Sequence, residues 1–418
     1  MRKLTALLVV AFTASLLAAE ARTFAEVMED VRIAYDAKDY SRLLADWVEA
    51  DALRPNHPEV LANLAGTYSL LGRGAEAAPI FRRLMAMQVV LDTSDADFNN
   101  VRTDPDFVEL SARIETLKKS RVAGAEVAYR IPQKDLITEG LAYDRASRCF
   151  FVSSARKGTI YRVDRSGRVS LFSSSEIHHG VSGMGIDSSR HFLWACSTAS
   201  SRNEGHQKDE TNDASLVAFN LRNGQVVRRI RSADPAAFFD DLTVAADGTV
   251  YVSDSTGSVL RLPPGATELT TLVPRGVMRS PQGSVLSADE KTLYVSDYGG
   301  AVRAVRVSTG VVTPLSFPAS VAYMGIDGLT RKGNQLIAVQ NGIEPNRIVA
   351  FKLSADGLHV ESARILEMNH PLIDEPTIGK VVDGDYFFLG ASAGNKFDKG
   401  TPDAASLTDG LIFKIPLK

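Results

Sequence analysis

The sequence predicts an all-β six-bladed β-propeller that follows an all-α helical domain. Six times between residues 139 and 375, a polar or acidic residue stands just ahead of a short apolar strand, at spacings of 43, 58, 42, 45 and 48 residues. These anchor positions are Glu139, Ser182, Asp240, Gln282, Asp327 and Glu375. A period of about 40 to 50 residues with several short strands per unit is typical of propeller blades. From about Thr23 to Leu117, apolar residues instead recur every three or four positions, which indicates helices.

The helical region contains a helix-turn-helix unit between Asn56 and Gln88. Its small residues Ala65, Gly72 and Ala77 stand where two antiparallel helices would approach closely. This unit resembles a tetratricopeptide repeat, the segment before it has the same rhythm, and a third, degenerate unit ends in a helix that starts at Asp104-Pro105. We expect a tetratricopeptide-like domain over residues 22–120 that either packs against the rest of the chain or binds a protein partner.

The first 21 residues have the features of a secretory signal peptide. Arg2 and Lys3 precede an apolar run from Leu4 to Leu17, and a small-residue end, Ala19-Glu20-Ala21, follows it. The alternative is an N-terminal membrane anchor, although the run is shorter than the roughly 20 residues that a spanning helix needs. No later segment is apolar enough to cross a bilayer, so we expect a periplasmic or secreted protein without a membrane span after cleavage.

Charge and cysteine content narrow the class further. The formal charge of −3 becomes −4 after loss of Arg2, Lys3 and Glu20, so a mildly acidic protein offers no electrostatic footprint for nucleic acid. Cys149 and Cys196 fall at different depths of neighbouring predicted blades. We therefore expect two free, buried cysteines, with a disulfide as the alternative in an oxidising compartment.

The predicted propeller covers residues 125–418. The strand-like sequences EVAYRIP and GLIFKIPLK at its two ends are suited to share the last blade, which would close the ring. Two polar insertions, residues 197–215 and 393–409, interrupt the second and sixth blades. We expect both insertions to form surface loops over one mouth of the central channel.

The anchor positions should face the propeller axis together, because equivalent positions of successive blades do so. Four of them carry carboxylates, at Glu139, Asp240, Asp327 and Glu375. Carboxylates that share one site repel each other and need a cation or protons. The alternative is that these side chains only cap strand starts by bonding to neighbouring backbone N–H groups.

The repeats EGLAYD, DDLTVAADGTVYVSD, PQGSVLSADEKTLYVSD and DGLTRKGNQLIAV resemble the gluconolactonase and senescence-marker-protein (regucalcin) family. The resemblance covers about residues 125–418 and implies a calcium-dependent lactone hydrolase on a six-bladed propeller. It implies metal ligands at Glu139, Asp240, Gln282 and Asp327, of which Asp240 and Gln282 replace asparagines and keep an oxygen donor. Calcium accepts such oxygens in loose geometry, and another divalent cation is possible. Glu375 is either a further ligand or is hydrogen-bonded within the last blade.

A second resemblance concerns the general base. His179, in the sequence HGVS, is similar to the paraoxonase motif, in which a histidine above the calcium is held to be the base. That family's second histidine is not evident in this chain. The first resemblance implies Asp327 or Asp241 as the base instead, and His179 would then only bond to backbone at a strand start.

The function expected from the sequence is an exported calcium-dependent hydrolase of lactones or related esters. The alternative is a non-catalytic, metal-stabilised propeller that binds a sugar, a peptide or a protein, and carbon–carbon condensation, as in strictosidine-synthase-like relatives, shares the fold. No serine-hydrolase elbow, Walker loop or zinc spacing is present. Tyr323, Asn341, Asn395 and Lys396 are expected either to line a substrate pocket or to be ordinary loop residues.

Overall fold

The computed structural model describes residues 22–173, 179–206, 213–398 and 402–417. Six four-stranded antiparallel sheets follow a helical segment, which confirms the predicted six-bladed propeller with helices ahead of it. The predicted signal peptide lies outside these ranges. Within them, every helix is too short or too polar to cross a bilayer.

The helical segment contains five α-helices, and the sequence encodes several of their ends. Thr23 and Glu26 form a capping box at the first helix, Asp39 caps the second, and Asp104 caps the last one ahead of Pro105. The helices are α1 Phe24–Asp36, α2 Tyr40–Leu53, α3 Pro58–Leu70, α4 Gly74–Met87 and α5 Pro105–Lys119. In the segment of the third, degenerate unit, a 3-10 helix, Ala96–Val101, precedes α5.

The first five blades each use four consecutive strands. Blade one consists of β2 Leu141–Asp144, β3 Cys149–Ser154, β4 Thr159–Val163 and β5 Val169–Ser173. Blade two consists of β6 Gly180–Asp187, β7 Phe192–Thr198, β8 Ser215–Asn220 and β9 Val226–Arg231. Blade three consists of β10 Phe239–Val244, β11 Val250–Asp254, β12 Ser258–Leu262 and β13 Thr270–Val273. Both cysteines, in β3 and β7, are free and buried, as predicted.

The remaining strands complete the ring. Blade four consists of β14 Pro281–Leu286, β15 Thr292–Asp297, β16 Arg303–Arg306 and β17 Val312–Pro314. Blade five consists of β18 Ile326–Lys332, β19 Gln335–Gln340, β20 Arg347–Leu353 and β21 Val360–Met368. Blade six consists of β22 Gly379–Val382, β23 Asp385–Leu389, β24 Gly410–Pro416 and β1 Glu126–Ile131. Because β1 pairs with β24, the two ends of the propeller share one sheet, as the sequence predicts.

The inner strands β2, β6, β10, β14, β18 and β22 contact each other in a closed ring. Residues from all six line an axial cavity of about 310 Å³. Glycines allow this close approach, because a Cβ atom at Gly140 would collide with the carbonyl oxygen of Ser182, and one at Gly328 would collide with that of Thr377. The glycine that follows an anchor residue therefore marks a contact between blades.

The helical segment packs on the propeller at blades four and five. Its hydrophobic core continues into Ala322, Tyr323, Met324 and Ile343 of the propeller loops. The Tyr323 hydroxyl donates a 2.8 Å hydrogen bond to the carbonyl oxygen of Pro55. Tyr323 thus joins the two parts of the chain. A protein partner for the helices stays a prediction.

Candidate functional site

Four inner strands carry a β-bulge at the anchor positions. In β10, Phe239 pairs with Asp254 and Asp241 pairs with Ser253 of β11. Asp240, between them, is the extra residue of the bulge and is opposite no residue of β11. The same irregularity falls at Ser182-Gly183, Gln282-Gly283 and Asp327-Gly328 in β6, β14 and β18. A bulge re-aims a side chain out of the regular sheet alternation. All six anchor side chains are half-buried, as expected at the mouth of a channel.

Three anchor residues form the axial carboxylates, Glu139, Asp240 and Asp327. The pKa of Glu139 is raised to about 8, first by burial and then by the charges of Glu375 and Asp240. A 2.8 Å hydrogen bond from the Ser392 hydroxyl opposes this increase. Burial and the neighbouring charge of Asp241 raise the pKa of Asp240 to about 7. The charges of acidic side chains from different blades therefore raise one another's pKa values.

Asp327 is held by a chain of hydrogen bonds. The Tyr298 hydroxyl donates to Asn341 Oδ1 at 2.9 Å, and Asn341 Nδ2 donates to Asp327 Oδ2 at 2.6 Å and to the Pro376 carbonyl oxygen at 2.9 Å. Burial, followed by the charges of Glu139 and Asp240, places the pKa of Asp327 well above its ordinary range, and Asn341 opposes this shift. One carboxylate oxygen of Asp327 is thus fixed in position.

Asp241 lies between blades. Its side chain is 3% exposed, and its Oδ2 accepts a 3.1 Å hydrogen bond from the backbone N–H of Ser284 in the next inner strand. Its Oδ1 lies against Gly183 and has no hydrogen-bond partner among the described residues. Burial raises the pKa of Asp241, whereas the charge of Lys380 lowers it. The carboxylate takes the place of the glycine that follows the anchor in four other blades.

The two remaining candidate ligands have polar partners of their own. Glu375 Oε2 accepts a 3.0 Å hydrogen bond from the backbone N–H of Asn395, within the last blade. Gln282 Nε2 donates a 3.1 Å hydrogen bond to Ser280 Oγ. The side-chain carbonyl oxygen of Gln282 is therefore the atom that could coordinate a cation. Glu375 still acts electrostatically on Glu139.

His179 contacts a residue of the second-blade insertion. Its Nε2 lies 3.6 Å from Asp213 Oδ2, and Asp213 also pairs with Arg231 at 3.0 Å. The axial carboxylates Glu139 and Asp327 accept hydrogen bonds from Ser392 and Asn341. The role of His179 as a base stays a prediction.

Arg202 is a charged neighbour of the site that no sequence motif indicated. Its Nε and Nη2 each lie 2.8 Å from the carboxylate oxygens of Asp398, so the two polar insertions meet as a bidentate ion pair. Its guanidinium also lies beside Gly394, as does Glu375. The positive charge opposes the raised pKa of Glu139 and of Asp240. Its contact with Asp398 agrees with the expectation that both polar insertions lie over the same mouth of the channel, but no sequence motif indicated Arg202 itself.

The donor atoms suit a hard cation, but they do not form a compact metal cluster. All candidate ligands supply oxygen, the donor that calcium prefers. Among the residues described, however, no three His, Cys, Asp or Glu side chains are grouped closely enough to hold an ion. One oxygen each of Glu139, Asp327 and Glu375 already accepts a hydrogen bond. A cation would therefore have to use the other oxygens, the amide carbonyl of Gln282, and water.

No protein-family model matches this chain, and no curated protein matches its sequence. Similar solved structures include a gluconolactonase from Xanthomonas campestris, with 18% identity and a TM-score of 0.47 over 71% of this chain and 91% of that one. A calcium-binding regucalcin from Agrobacterium tumefaciens has 14% identity and a TM-score of 0.49 over 70% and 94%. Virginiamycin B lyase from Staphylococcus aureus has 14% identity and a TM-score of 0.46, over 63% of this chain and 81% of that one. At these values the likeness carries no argument about activity.

Proposed function

We propose that the protein is a lactonase-type hydrolase that opens small lactones or related esters with the help of a divalent cation, in the first place Ca²⁺. The observation that carries the proposal is the group of half-buried axial carboxylates, Glu139, Asp240 and Asp327, which come from three different blades. Their charges act on one another, so they are stable together only with protons or with a cation.

Each axial side chain has a part in this proposal. Glu139, Asp240 and Asp327 would contribute the carboxylate oxygens that Ser392 and Asn341 do not engage, and the amide oxygen of Gln282, Glu375 and water would complete the ligand set. A bound divalent cation polarises a carbonyl oxygen and so favours attack by water. Because Asn341 Nδ2 donates a hydrogen bond to Asp327 Oδ2, the other carboxylate oxygen of Asp327 would be the one offered to the ion. Asp241 and His179 are the alternative bases.

Export is a further part of the proposal. It is supported by the apolar run Leu4 to Leu17 and the small-residue end at residues 19–21. Fractionation of the native host, or of a bacterium that expresses the full chain, tests it. Recovery of a product shortened by about 21 residues outside the cytoplasm is expected. Full-length protein in the cytoplasm alone contradicts export.

A non-catalytic role of the same site is favoured by one observation. Glu139, Asp327 and Glu375 each accept a hydrogen bond from a neighbouring Ser392, Asn341 or Asn395, so part of their charge is already balanced by the protein. A cation there could serve only to stabilise a binding propeller. Calcium that raises the melting temperature without supporting turnover would identify this second function.

The deciding experiment is a panel of sugar lactones, aliphatic lactones and aryl esters, assayed with calcium and with a chelator. We expect hydrolysis that the chelator abolishes and that Asp327→Asn lowers by about 100-fold or more. Asp356→Asn is the matched control, because Asp356 lies in an exposed turn of the same blade, bonded to Ser354 and Leu358. Absence of chelator-sensitive turnover on the whole panel contradicts the proposal.

A further inference from the structure

A cleft of about 1060 Å³ separates the helical segment from the propeller. One wall belongs to the helices and includes Arg54 and His57, and the other belongs to blade four and includes Arg279, Tyr298 and Arg303. The cleft combines positive charge, neutral polar groups and apolar surface. This composition is that of a binding pocket for a small molecule with a few fixed polar contacts.

Three arginines surround one turn of the cleft wall, the turn that links β15 to β16. Arg54 Nη1 donates a 3.0 Å hydrogen bond to the Gly299 carbonyl oxygen. Arg279 Nη1 would lie 3.9 Å from a Cβ atom at Gly299, and Arg303 Nη2 would lie 3.4 Å from one at Gly300. Because these two turn residues are glycines, the turn itself places no side chain among the guanidinium groups.

Carboxylates balance this positive charge only in part. Asp297 pairs with Arg303 at 3.3 Å, and its other oxygen accepts hydrogen bonds of 3.0 and 2.9 Å from the backbone N–H groups of Arg279 and Ser280. Over the described ranges, no carboxylate lies within ion-pair distance of the Arg54 or Arg279 guanidinium. Glu29, at the rim of the cleft, pairs with Arg32 at 2.6 Å, and Glu59 is exposed.

His57 adds a neutral polar group to the same wall. Its side chain is buried, at 4% exposure, and its Nδ1 has no hydrogen-bond partner in the described part of the chain. Burial and the charges of Arg54 and Arg279 lower the pKa of His57 to about 4, so its imidazole is neutral near pH 7. Arg303 Nε is likewise buried and without a partner there. Arg54 is held in place by Phe24, whose ring centroid lies 3.7 Å from the guanidinium carbon.

We propose that this cleft binds a small organic molecule that carries a carboxylate. Guanidinium groups recognise carboxylates in two-point geometry. Among the residues that the structure describes, no carboxylate lies within ion-pair distance of Arg54 or Arg279, so both are open to a ligand. Apolar neighbours in the cleft, among them Trp47, Met278 and Met324, would contact the rest of the molecule. The inference concerns binding alone and does not depend on hydrolysis.

Calorimetric titration of the full chain tests this proposal with acetate, glutarate and galacturonate as probes. Galactose, a neutral sugar of similar shape to galacturonate, and inorganic phosphate are the comparison ligands. We expect at least one carboxylate to bind, with an affinity that falls as salt rises, and galactose not to bind. Absence of binding by all three carboxylates, equal binding of galactose, or binding of phosphate alone overturns the proposal.

Variants locate the binding site. Arg279→Gln should weaken carboxylate binding about tenfold or more, because it removes a guanidinium from the cleft. Arg306→Gln is the matched control, since Arg306 is an exposed arginine of β16 outside the cleft lining and its loss changes the net charge equally. Melting temperatures verify that both variants are folded. Unchanged affinity of Arg279→Gln, or an equal loss in Arg306→Gln, overturns the assignment to this cleft.

Discussion

The side-chain amide of Asn341 donates a 2.6 Å hydrogen bond to the carboxylate of Asp327. Asn341 follows the second strand of blade five, and Asp327 lies in the bulge of its first strand. The same amide also donates to the carbonyl oxygen of Pro376, ahead of the inner strand of blade six. One loop side chain therefore fixes an axial carboxylate and joins two blades.

Asn341→Leu removes both hydrogen bonds that Asn341 donates and the one that it accepts from the Tyr298 hydroxyl, so the half-buried carboxylate of Asp327 loses its amide donor. We expect the free energy of unfolding at pH 7 to fall by about 1–3 kcal/mol, measured by urea denaturation. Asn334→Leu is the control, because the amide of Asn334 donates one longer bond, of 3.4 Å, to Leu353 away from the channel. An equal decrease in the free energy of unfolding in both variants would show that the hydrogen bond to Asp327 contributes no additional stability.

The raised pKa values predict an unusual pH dependence of stability in the absence of metal. In the folded chain the pKa of Glu139 is about 8 and that of Asp240 is about 7, compared with ordinary values of 4.5 and 3.8. Both groups therefore bind protons more tightly in the folded chain than in the unfolded chain. Their stabilising contribution is complete below about pH 4 and is lost as the pH rises through 7 and 8. In a chelator, the free energy of unfolding should therefore fall between pH 5.5 and pH 8.5.

Glu139→Gln tests the source of this pH dependence. The amide cannot ionise, so the decrease in stability toward pH 8.5 should be smaller than in the parent protein. Calcium should also reduce the decrease in the parent, because it favours the ionised carboxylates. A stability that rises from pH 5.5 to pH 8.5 in the chelator contradicts the raised pKa values.

Arg202 combines two roles that two variants can separate. Arg202→Gln removes both the ion pair with Asp398 and the positive charge near Glu139, so the pKa of Glu139 should rise further. Asp398→Asn breaks the ion pair but keeps the guanidinium. Both variants should expose the insertions to limited proteolysis, whereas only Arg202→Gln should shift the pH dependence of stability to higher pH. A shift of equal size in Asp398→Asn would contradict this electrostatic role.

Arg347 connects the helical segment to the propeller. It is 5% exposed, and its guanidinium donates to the carbonyl oxygens of Gln88 and Met87 at 3.0 and 3.4 Å and to Gln340 Oε1 at 2.8 Å. Arg347→Met leaves these buried acceptors without a donor, which should cost about 3 kcal/mol.

Calorimetry distinguishes this linking role from a general loss of stability. Arg347→Met should split thermal unfolding into two transitions, because the helices lose a buried contact with the propeller. Arg331→Met, which removes bonds to Leu286 and Gly333 within the propeller, should keep a single transition. One shared transition in both variants would contradict the role of Arg347 as a link.

The inner strands could be predicted from the sequence because a local steric rule repeats in it. An anchor residue followed by glycine recurs where neighbouring inner strands nearly touch, and a Cβ atom at Gly283 would collide with the backbone of Asp327. Asp241 stands at the corresponding place in blade three, where the sequence alone did not show that its carboxylate lies between blades. The closure of the ring by β1 and β24 followed from the need to cover sheet edges.

The partners of the axial carboxylates could not be predicted in the same way. Arg202, Tyr298 and Asn341 all lie in loops between the second and third strands of their blades. The length and sequence of these loops differ from blade to blade, so the repeat does not predict the positions of their side chains. Their contacts depend on the path of each loop. The docking of the helices was equally hidden, because Ala322 and Ile343 are apolar loop residues without a periodic pattern.

Calcium titration of the chelator-treated full chain by calorimetry tests the central claim most directly, namely that carboxylates of separate blades hold one divalent cation at the channel mouth. The account predicts saturable binding at one site, lost in Glu139→Gln/Asp327→Asn and unchanged in Asp356→Asn. No binding by the parent protein, or equal binding by the double variant, would contradict it.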